Sequence, residues 1–262
     1  MTRRTAVVTG AARGIGYAVA GRLVHEGWNV LLTDVDGGVT EAARRLDPAR
    51  GRGAGEGIRA AGLVADVCLA RDAARMAEAA GDLFGGVDAL VANAAVGGPE
   101  TPLLDTPEDE IRRVLDINFF GVLRGIQAVL PLMGRNGRPG RIVVMGSLFA
   151  QQPVPGAGAY SASKAAVAAL MRTLALELAP GCTVNAVAPG YVMTEMHREE
   201  LDSRARRGGC SFTEVRDRLA AEVPLKRHGS GADVADAVHY LLSGADYVTG
   251  QTINVNGGVL TS

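Results

Sequence analysis

The stretch that decides the fold is TAVVTGAARGIGYAVAGRLV, residues 5–24. It opens with a short apolar run, passes through Gly10, Gly14 and Gly16, and continues with apolar residues at helical spacing. This order predicts a buried strand, a tight turn and the start of a helix. Glycine allows a backbone to turn sharply and to approach a ligand closely, and the helix that follows directs unpaired N–H groups at the same point. We therefore expect a loop that binds the pyrophosphate of a dinucleotide.

The rest of the chain repeats this alternation of apolar strands and Ala/Leu-rich helices. Predicted strands cover 5–9, 29–34, 63–67, 87–93, 141–147, 183–189 and 252–256. Predicted helices cover 15–26, 39–46, 70–84, 107–133, 158–179 and 231–243. Near-continuous apolar strands are buried on both faces, as in a parallel sheet with helices on each side. We predict an α/β fold with one doubly wound parallel sheet of about seven strands, Rossmann-type, in a single domain over 1–262.

Two segments interrupt this regular pattern. The Gly/Arg-rich stretch 47–57 predicts a surface loop. The long charged stretch 194–229 predicts a substrate-binding lid, because long insertions in compact domains often cover a site. Its arginines, namely Arg198, Arg204, Arg206 and Arg207, are interpreted as solvated, with binding of an anionic substrate as the alternative.

Composition excludes several classes of function. The 27 Lys and Arg residues nearly balance the 28 Asp and Glu residues, so no overall field attracts nucleic acid. No apolar run reaches the roughly 18 residues that a membrane span needs. The three cysteines and four histidines show neither disulfide nor metal-ligand spacing. We expect a cytoplasmic protein without a metal and without nucleic-acid or membrane partners.

Two charged residues bear on which dinucleotide binds. Asp34 ends the second predicted strand, where a carboxylate accepts hydrogen bonds from the ribose hydroxyls and repels the extra phosphate of NADP. Arg13 in the glycine loop would favour NADP if its guanidinium bound that phosphate, although it can equally lie over the adenine or face solvent. Because the carboxylate penalises NADP directly, NAD is the predicted cofactor and NADP the less favoured one. A turn-forming role for Asp34 is the remaining interpretation.

The segment AYSASKAAVAAL, residues 159–170, places one of the chain's two lysines four residues after a tyrosine. Tyr160 and Lys164 therefore share one helix face. Tyrosine has a pKa near 10, and a neighbouring ammonium or an oxidised nicotinamide favours the phenolate. We predict that Tyr160 is a general acid/base, and that Lys164 tunes it and binds the cofactor ribose.

Two polar residues complete the candidate chemistry. Ser147 ends the fifth predicted strand at the edge where doubly wound sheets bind ligands, so its hydroxyl is placed to bind a substrate oxygen, or merely to form a turn. Asn118 lies in the apolar stretch VLDINFFGVL, residues 114–123. Its amide either bonds to backbone or holds a water that passes protons to and from Lys164.

Together these motifs resemble the short-chain dehydrogenase/reductase family over nearly the whole chain. The resemblance implies a catalytic tetrad of Asn118, Ser147, Tyr160 and Lys164. The cofactor residues that the motifs and this resemblance indicate are Gly10, Arg13, Gly14, Ile15, Gly16, Asp34, Asp66, Val67, Asn93, Tyr160, Lys164, Pro189, Gly190, Val192 and Thr194. Within this set, the PGYVMT motif (189–194) is expected to hold the nicotinamide carboxamide. The chain departs from the family pattern at two places. ANAA over 92–95 keeps Asn93 and leaves the tetrad intact, and it is expected to alter local packing near the cofactor. Asn256 replaces the family's usual aspartate, for which a minor effect is expected.

These observations predict an NAD-dependent oxidoreductase that interconverts a secondary alcohol and a ketone. The alternative is an NADPH-dependent 3-oxoacyl carrier-protein reductase. A non-catalytic dinucleotide-binding protein has no need of all four tetrad residues. The helical stretches 114–130 and 171–178 are apolar on more than one face, and with the resemblance they predict a homo-oligomer, a tetramer or a dimer. The sequence leaves the substrate open.

Overall fold

Seven parallel strands form one sheet in the order β3-β2-β1-β4-β5-β6-β7. The computed structural model describes residues 3–47 and 57–261. The strands are β1 Thr5–Thr9, β2 Asn29–Asp34, β3 Ala60–Val64, β4 Ala89–Ala92, β5 Gly140–Met145, β6 Cys182–Pro189 and β7 Thr252–Val255. The order changes direction between β1 and β4, and such sheets bind ligands in the crevice outside this point. The predicted fold class, a doubly wound sheet in a single domain, is confirmed.

Helices cover both faces of the sheet. They are α1 Gly14–His25, α2 Val39–Leu46, α3 Ala70–Phe84, α4 Glu108–Leu115, α5 Gly121–Val129, α6 Gly158–Glu177, α7 Glu195–Gly208, α8 Phe212–Glu222 and α9 Gly231–Ser243. Side chains on β1 alternate between two cores. Ala6 and Val8 join the core under α1, α2 and α9. Val7 joins the core under α3, α5 and α6. Both faces are therefore buried, which explains the unbroken apolar character of the strand.

Two predicted elements differ most from the structure in their bounds. Strand β3 ends at Val64, so Asp66 and Val67 lie in the loop after it. The Asp66 carboxylate accepts a hydrogen bond from the backbone N–H of Cys68 at 2.9 Å, which turns the chain away from the sheet. The predicted helix 107–133 is divided by a π-helical turn, Asp116–Phe120. The predicted loop 47–57 falls mostly outside the described residues.

Within the described ranges, Glu108–Leu132 is the segment long and apolar enough, by length and composition, to cross a membrane. It contains α4, the π turn and α5, which pack against α3 and α6. Asn118 in this segment is fully buried. Part of the apolar character of this segment is therefore explained by packing against the protein's own helices.

Candidate active site

The glycine loop after β1 is built so that only glycine fits. Gly10 has φ 64° and Gly14 has φ 60°, values that side chains disfavour. A Cβ on Gly16 would lie 2.2 Å from the carbonyl oxygen of Gly10. A Cβ on Gly14 would make an ordinary van der Waals contact with Thr194 Cγ2 at 3.7 Å, so it is the positive φ that requires glycine at this position. Such a loop, followed by the N-terminus of α1, fits the pyrophosphate of a dinucleotide.

Asn93 holds this loop in place. Its Nδ2 donates hydrogen bonds to the carbonyl oxygens of Thr9 and Gly10, both at 2.9 Å. Its backbone N–H donates to Thr9 Oγ1 at 3.0 Å. The family resemblance predicts that Asn93 binds the cofactor, but these contacts show a residue whose amide nitrogen is engaged with the loop itself. A direct contact with the cofactor stays a prediction.

The charged residues that bear on dinucleotide choice lie beside the loop. Asp34 accepts hydrogen bonds from the backbone N–H groups of Ala12 at 2.9 Å and Asp36 at 3.0 Å. Arg13 forms ion pairs with Asp36 at 3.0 Å and Glu195 at 2.6 Å. The Arg13 guanidinium is thus already shared between two carboxylates. Ile15, also a predicted cofactor residue, is half-buried and packs on the core under α1.

The loop after β3 reaches the same edge of the sheet. The backbone N–H of Asp66 donates to the Asp72 carboxylate at 3.0 Å, which joins this loop to the start of α3. Val67 packs on Gly121, where an added Cβ would lie 2.8 Å from Val67 Cγ2. Asp66 and Val67, which the family resemblance places against the adenine, are therefore held in a fixed loop, and their roles toward the cofactor remain predictions.

Tyr160 and Lys164 lie on the first turns of α6, on the same face, as predicted. Lys164 is only 2% exposed, and its Nζ lies 5.7 Å from the centre of the Tyr160 ring. Nζ donates a hydrogen bond to the Met145 carbonyl oxygen at 2.8 Å, at the end of β5. Burial lowers the pKa of Lys164 to about 8, because removal from water disfavours the ammonium. Two of its three N–H donors remain available toward the site.

The environment of Tyr160 differs from the expectation. Burial raises the pKa of Tyr160, a hydrogen bond with the Ser147 side chain opposes this, and the negative charge of Glu200 raises the pKa further. The sequence predicts that Lys164 lowers this pKa. In the chain by itself the net shift is upward, because burial is its largest cause. The Lys164 ammonium donates to the Met145 carbonyl oxygen, and its effect on the pKa of Tyr160 stays a prediction.

Ser147 stands two residues after β5 and is 7% exposed. Its Oγ accepts a hydrogen bond from the backbone N–H of Phe149 at 3.1 Å, which caps a short 3₁₀ turn over Leu148–Ala150. The same side chain reaches Tyr160. The turn-forming role and the position beside the tyrosine therefore coexist.

Asn118 lies in the π turn and uses its whole amide on the protein. Its Oδ1 accepts from the Val96 backbone N–H, and its Nδ2 donates to the Val96 carbonyl oxygen and to Ser163 Oγ, all at 2.9 Å. Ser163 Oγ in turn donates to the Tyr160 carbonyl oxygen at 2.7 Å. The side chain thus clamps the loop after β4 to α6, and a role in proton relay stays a prediction. Sequence reasoning missed Ser163, although it directly precedes Lys164.

The PGYVMT segment follows β6 and ends beside the glycine loop. A Cβ on Gly190 would lie 2.7 Å from Asn256 Cβ, so the chain needs glycine to pass here. Thr194 caps α7 by accepting a hydrogen bond from the backbone N–H of His197 at 3.2 Å. Pro189 ends β6, and Val192 is buried and bridges to Gly229. All four predicted residues of this motif are held at the carboxyl edge of the sheet.

Aromatic rings that sequence reasoning missed line the Tyr160 end of the site. Phe149 meets Tyr160 edge-on at 6.2 Å between ring centres, and meets Tyr191 at 6.5 Å. Tyr191 stacks on His197 at 5.7 Å. Among residues 3–47 and 57–261, no group of three or more His, Cys, Asp or Glu side chains has the arrangement of a metal site.

Comparison with known proteins identifies the relatives of this chain. A family model described as enoyl-(acyl carrier protein) reductase matches residues 10–260. The chain is 36% identical to 3-oxoacyl-[acyl-carrier-protein] reductase of Staphylococcus epidermidis over 98% of both proteins. It is 35% identical to dehydrogenase/reductase SDR family member 4 of Bos taurus, over 100% of this chain and 88% of that protein. The chain belongs to the short-chain dehydrogenase/reductase family.

A solved structure agrees with this assignment. A variant of actinorhodin polyketide ketoreductase with NADPH superposes with a TM-score of 0.90 and 35% identity, covering 99% of each chain. As a member of the short-chain dehydrogenase/reductase family, the protein is an oxidoreductase that acts on hydroxyl or keto groups with a nicotinamide cofactor.

Proposed function

We propose that the protein is an NAD-dependent oxidoreductase that interconverts a secondary alcohol and a ketone, with Tyr160 as general acid/base. The observation that carries this proposal is the convergence of Ser147, Tyr160 and Lys164 at the carboxyl edge of the sheet, beside a glycine loop that fits a pyrophosphate. Bound NAD supplies the nicotinamide that accepts or returns a hydride.

The predicted catalytic side chains have separate roles. Ser147 holds the substrate oxygen next to the tyrosine, and Tyr160 takes the hydroxyl proton in oxidation or gives it back in reduction. Lys164 keeps one N–H on Met145, so its other donors are available to the ribose of the cofactor and to the proton path. Asn118 supports α6 through Ser163, which fixes the turn on which both residues lie.

The preference for NAD rests on charge. Asp34 is held by two backbone N–H groups at the end of β2, where a 2′-phosphate would meet its carboxylate. Arg13, the cation nearest in sequence to that position, is neutralised by Asp36 and Glu195. A 2′-phosphate would therefore have to break an ion pair to gain a partner.

A second candidate is an NADPH-dependent 3-oxoacyl carrier-protein reductase. It is favoured by the identity to the Staphylococcus epidermidis reductase and by the NADPH in the ketoreductase structure. Asp34 opposes it, because that carboxylate repels the added phosphate.

One experiment separates the two candidates. The purified protein is assayed with NAD and with NADP on polyols, cyclitols, hydroxy acids, hydroxysteroids and hydroxyacyl thioesters. We expect turnover with NAD, and we expect D34N to raise kcat/KM for NADP relative to NAD at least about tenfold. The control D82N, at an exposed aspartate on α3, should leave this ratio unchanged. Turnover of the wild type with NADP alone would support the second candidate.

A second experiment tests the tyrosine mechanism. Y160F should lose nearly all turnover and still bind NADH, and an active Y160F would refute the mechanism.

We also propose that 194–229 is a lid over the substrate. Glu100, in the loop after β4, pairs with Arg207 and accepts a hydrogen bond from Ser203 at 3.0 Å, and these contacts, which join α7 to that loop, support the proposal. Arg204 pairs with Glu200. With two of the lid arginines engaged in this way, the alternative of an anionic substrate has less support.

A homo-oligomer in the cytoplasm completes the proposal. Phe120 and Leu176 are 46% and 82% exposed on the two helical stretches expected to pair between subunits. The three cysteines are free thiols, which suits a reducing compartment. Light scattering of the purified protein, and fractionation of the source cells, test these two statements.

A further inference from the structure

A line of hydrogen bonds runs through the inner side of the lid. His197, 7% exposed on the first turn of α7, places Nδ1 at 2.9 Å from Glu200 Oε2 and Nε2 at 3.3 Å from His228 Nδ1. His228 follows α8, and its Nε2 lies 2.9 Å from the Arg216 carbonyl oxygen. The line therefore connects the start of α7 with α8 and with the segment that ends the lid.

Counting protons along this line gives an unexpected result. A carbonyl oxygen only accepts, so His228 Nε2 must carry a proton. Three hydrogen bonds need three protons, whereas two neutral imidazoles supply only two. The third proton must come from Glu200 or make one imidazole cationic. Burial alone would raise the pKa of Glu200, but hydrogen bonding from His197 and the charge of Arg204 hold that pKa below its usual range. Because Glu200 also pairs with Arg204 as a carboxylate, the count assigns the extra proton to the two imidazoles.

This line of hydrogen bonds also contacts the candidate active site through His197. Tyr191 stacks on His197 with an angle of 22° between the rings, and Phe149 bridges from Tyr191 to Tyr160. The charge of Glu200 acts on Tyr160 directly. The rings of Tyr191 and Phe149 thus connect His197 to Tyr160 through successive contacts.

We propose that Glu200, His197 and His228 share one proton beyond that of two neutral imidazoles, and that this proton positions α7, α8 and Tyr191 over the Tyr160 end of the site. His197 is then a positioning residue. The expected effect on substrate binding rests on the proposed function. Above the pH at which the shared proton leaves, one of the three bonds is lost and the lid loosens.

The charged and titratable groups around this line come from every neighbouring element. Glu200 and Arg204 lie on α7, His228 follows α8, and Tyr191 follows β6. Glu222 on α8 acts on Tyr191, and Tyr160 on α6 feels Glu200. Arg216 contributes only its carbonyl oxygen.

The substitution E200Q tests the proton count. A glutamine amide donates to His197 Nδ1, after which both histidines donate along the line as neutral imidazoles, so all three bonds form without an extra proton. E199Q is the matched control, because Glu199 is exposed on the same helix. The ring nitrogens of ¹⁵N-histidine-labelled protein are read by NMR at about pH 7.5, above the ordinary pKa of histidine. We expect imidazolium signals from the His197–His228 pair in wild type and E199Q, and neutral signals in E200Q. Neutral signals in the wild type would refute the shared proton.

Hydrogen exchange tests the positioning without any need for turnover. Loss of one hydrogen bond in the wild type should lower the protection of peptides from 195–222 about fivefold between about pH 6.5 and pH 9, after correction for intrinsic exchange. E200Q should show no such fall. Equal behaviour of the two proteins would overturn the positioning role even if the NMR result holds.

Kinetics connect the lid to the reaction. With the soluble thioester S-acetoacetyl-N-acetylcysteamine and NADH, we expect KM to rise with pH in wild type and to stay flat in E200Q. The kcat profile of E200Q should move to lower pH, since a negative charge near Tyr160 is gone. Matching KM profiles would count against the proposal. Absence of turnover would count only against this thioester as a substrate, since the panel of alcohols tests the proposed function separately, and the exchange and NMR results would still decide on the shared proton.

Discussion

Replacement of Lys164 by methionine is expected to stabilise the protein while abolishing its activity. The Lys164 ammonium is almost completely buried, and its pKa falls from 10.5 to about 8. Methionine has a similar length, no charge and a flexible chain that fills the same space. The substitution therefore removes a buried charge without leaving a large cavity.

The magnitude follows from the two pKa values. Their separation of about 2.5 corresponds to roughly 3 kcal/mol by which the buried ammonium destabilises the fold at pH 7, at about 1.36 kcal/mol per pH unit. Loss of the hydrogen bond from Nζ to the Met145 carbonyl oxygen offsets about 1 kcal/mol of this gain. The net gain is about 2 kcal/mol, or about 6 °C in Tm for a chain of this size.

The dependence on pH identifies the cause. The unfolded chain binds the lysine proton more tightly than the folded protein, so wild-type stability rises with pH between about 8 and 10.5. The disadvantage of the wild type should shrink by about 2 kcal/mol between pH 7 and about pH 9.5, which makes the two proteins nearly equally stable at the higher pH.

The assay is urea unfolding of wild type and K164M at both pH values. K226M is the matched control, since Lys226 is the chain's other lysine and is exposed. Its stability should equal that of the wild type at both pH values. A K164M protein that is less stable than wild type at pH 7, or whose difference does not change with pH, would refute the reasoning.

Three further predictions concern the frame around the site. G16A places a Cβ 2.2 Å from the Gly10 carbonyl oxygen and 2.6 Å from Asn93 Nδ2, so we expect a loss of about 2 kcal/mol and of NADH binding, measured by urea unfolding and by NADH fluorescence. G97A, with no atom near the added Cβ, should behave as wild type. D88A removes a buried carboxylate that pairs with Arg138 at 3.0 Å and accepts a hydrogen bond from the Thr5 N–H at 2.8 Å. We expect it to lower the free energy of unfolding by about 3 kcal/mol, whereas D82A, at the exposed aspartate on α3, should not. N256D keeps the acceptor for the Gly258 N–H but loses the donor to the Leu260 carbonyl oxygen at 3.1 Å. We expect the free energy of unfolding to fall by about 1 kcal/mol, and a Tm equal to that of wild type would contradict this.

Much of the fold was predictable because strands and helices here have clear periodicity. The fold class and the position of the glycine loop followed from apolar runs and glycine spacing along the chain. The misplaced β3 shows the limit of this reasoning. Its residues are Ala, Gly, Leu and Val, so the apolar pattern does not mark where the strand begins, and backbone pairing with β2 decides it.

Residue types in the site were easier to predict than their partners. The sequence placed Tyr160 and Lys164 on one helix face, but it offered no means to see that Lys164 points at Met145 or that burial dominates the pKa of Tyr160. The His197–His228 contact joins residues 31 positions apart, so no local spacing signals it. Such contacts depend on how the two lid helices fold back on each other.

The contacts of Asn93 have a consequence for the rate at which cofactor binds. The glycine loop is fixed by hydrogen bonds to Thr9 and Gly10 from within the protein, so its shape does not depend on the ligand. A loop that is already ordered loses little conformational entropy when it receives a pyrophosphate. Association should then be a single fast step, and differences in affinity between dinucleotides should be found in how quickly they leave.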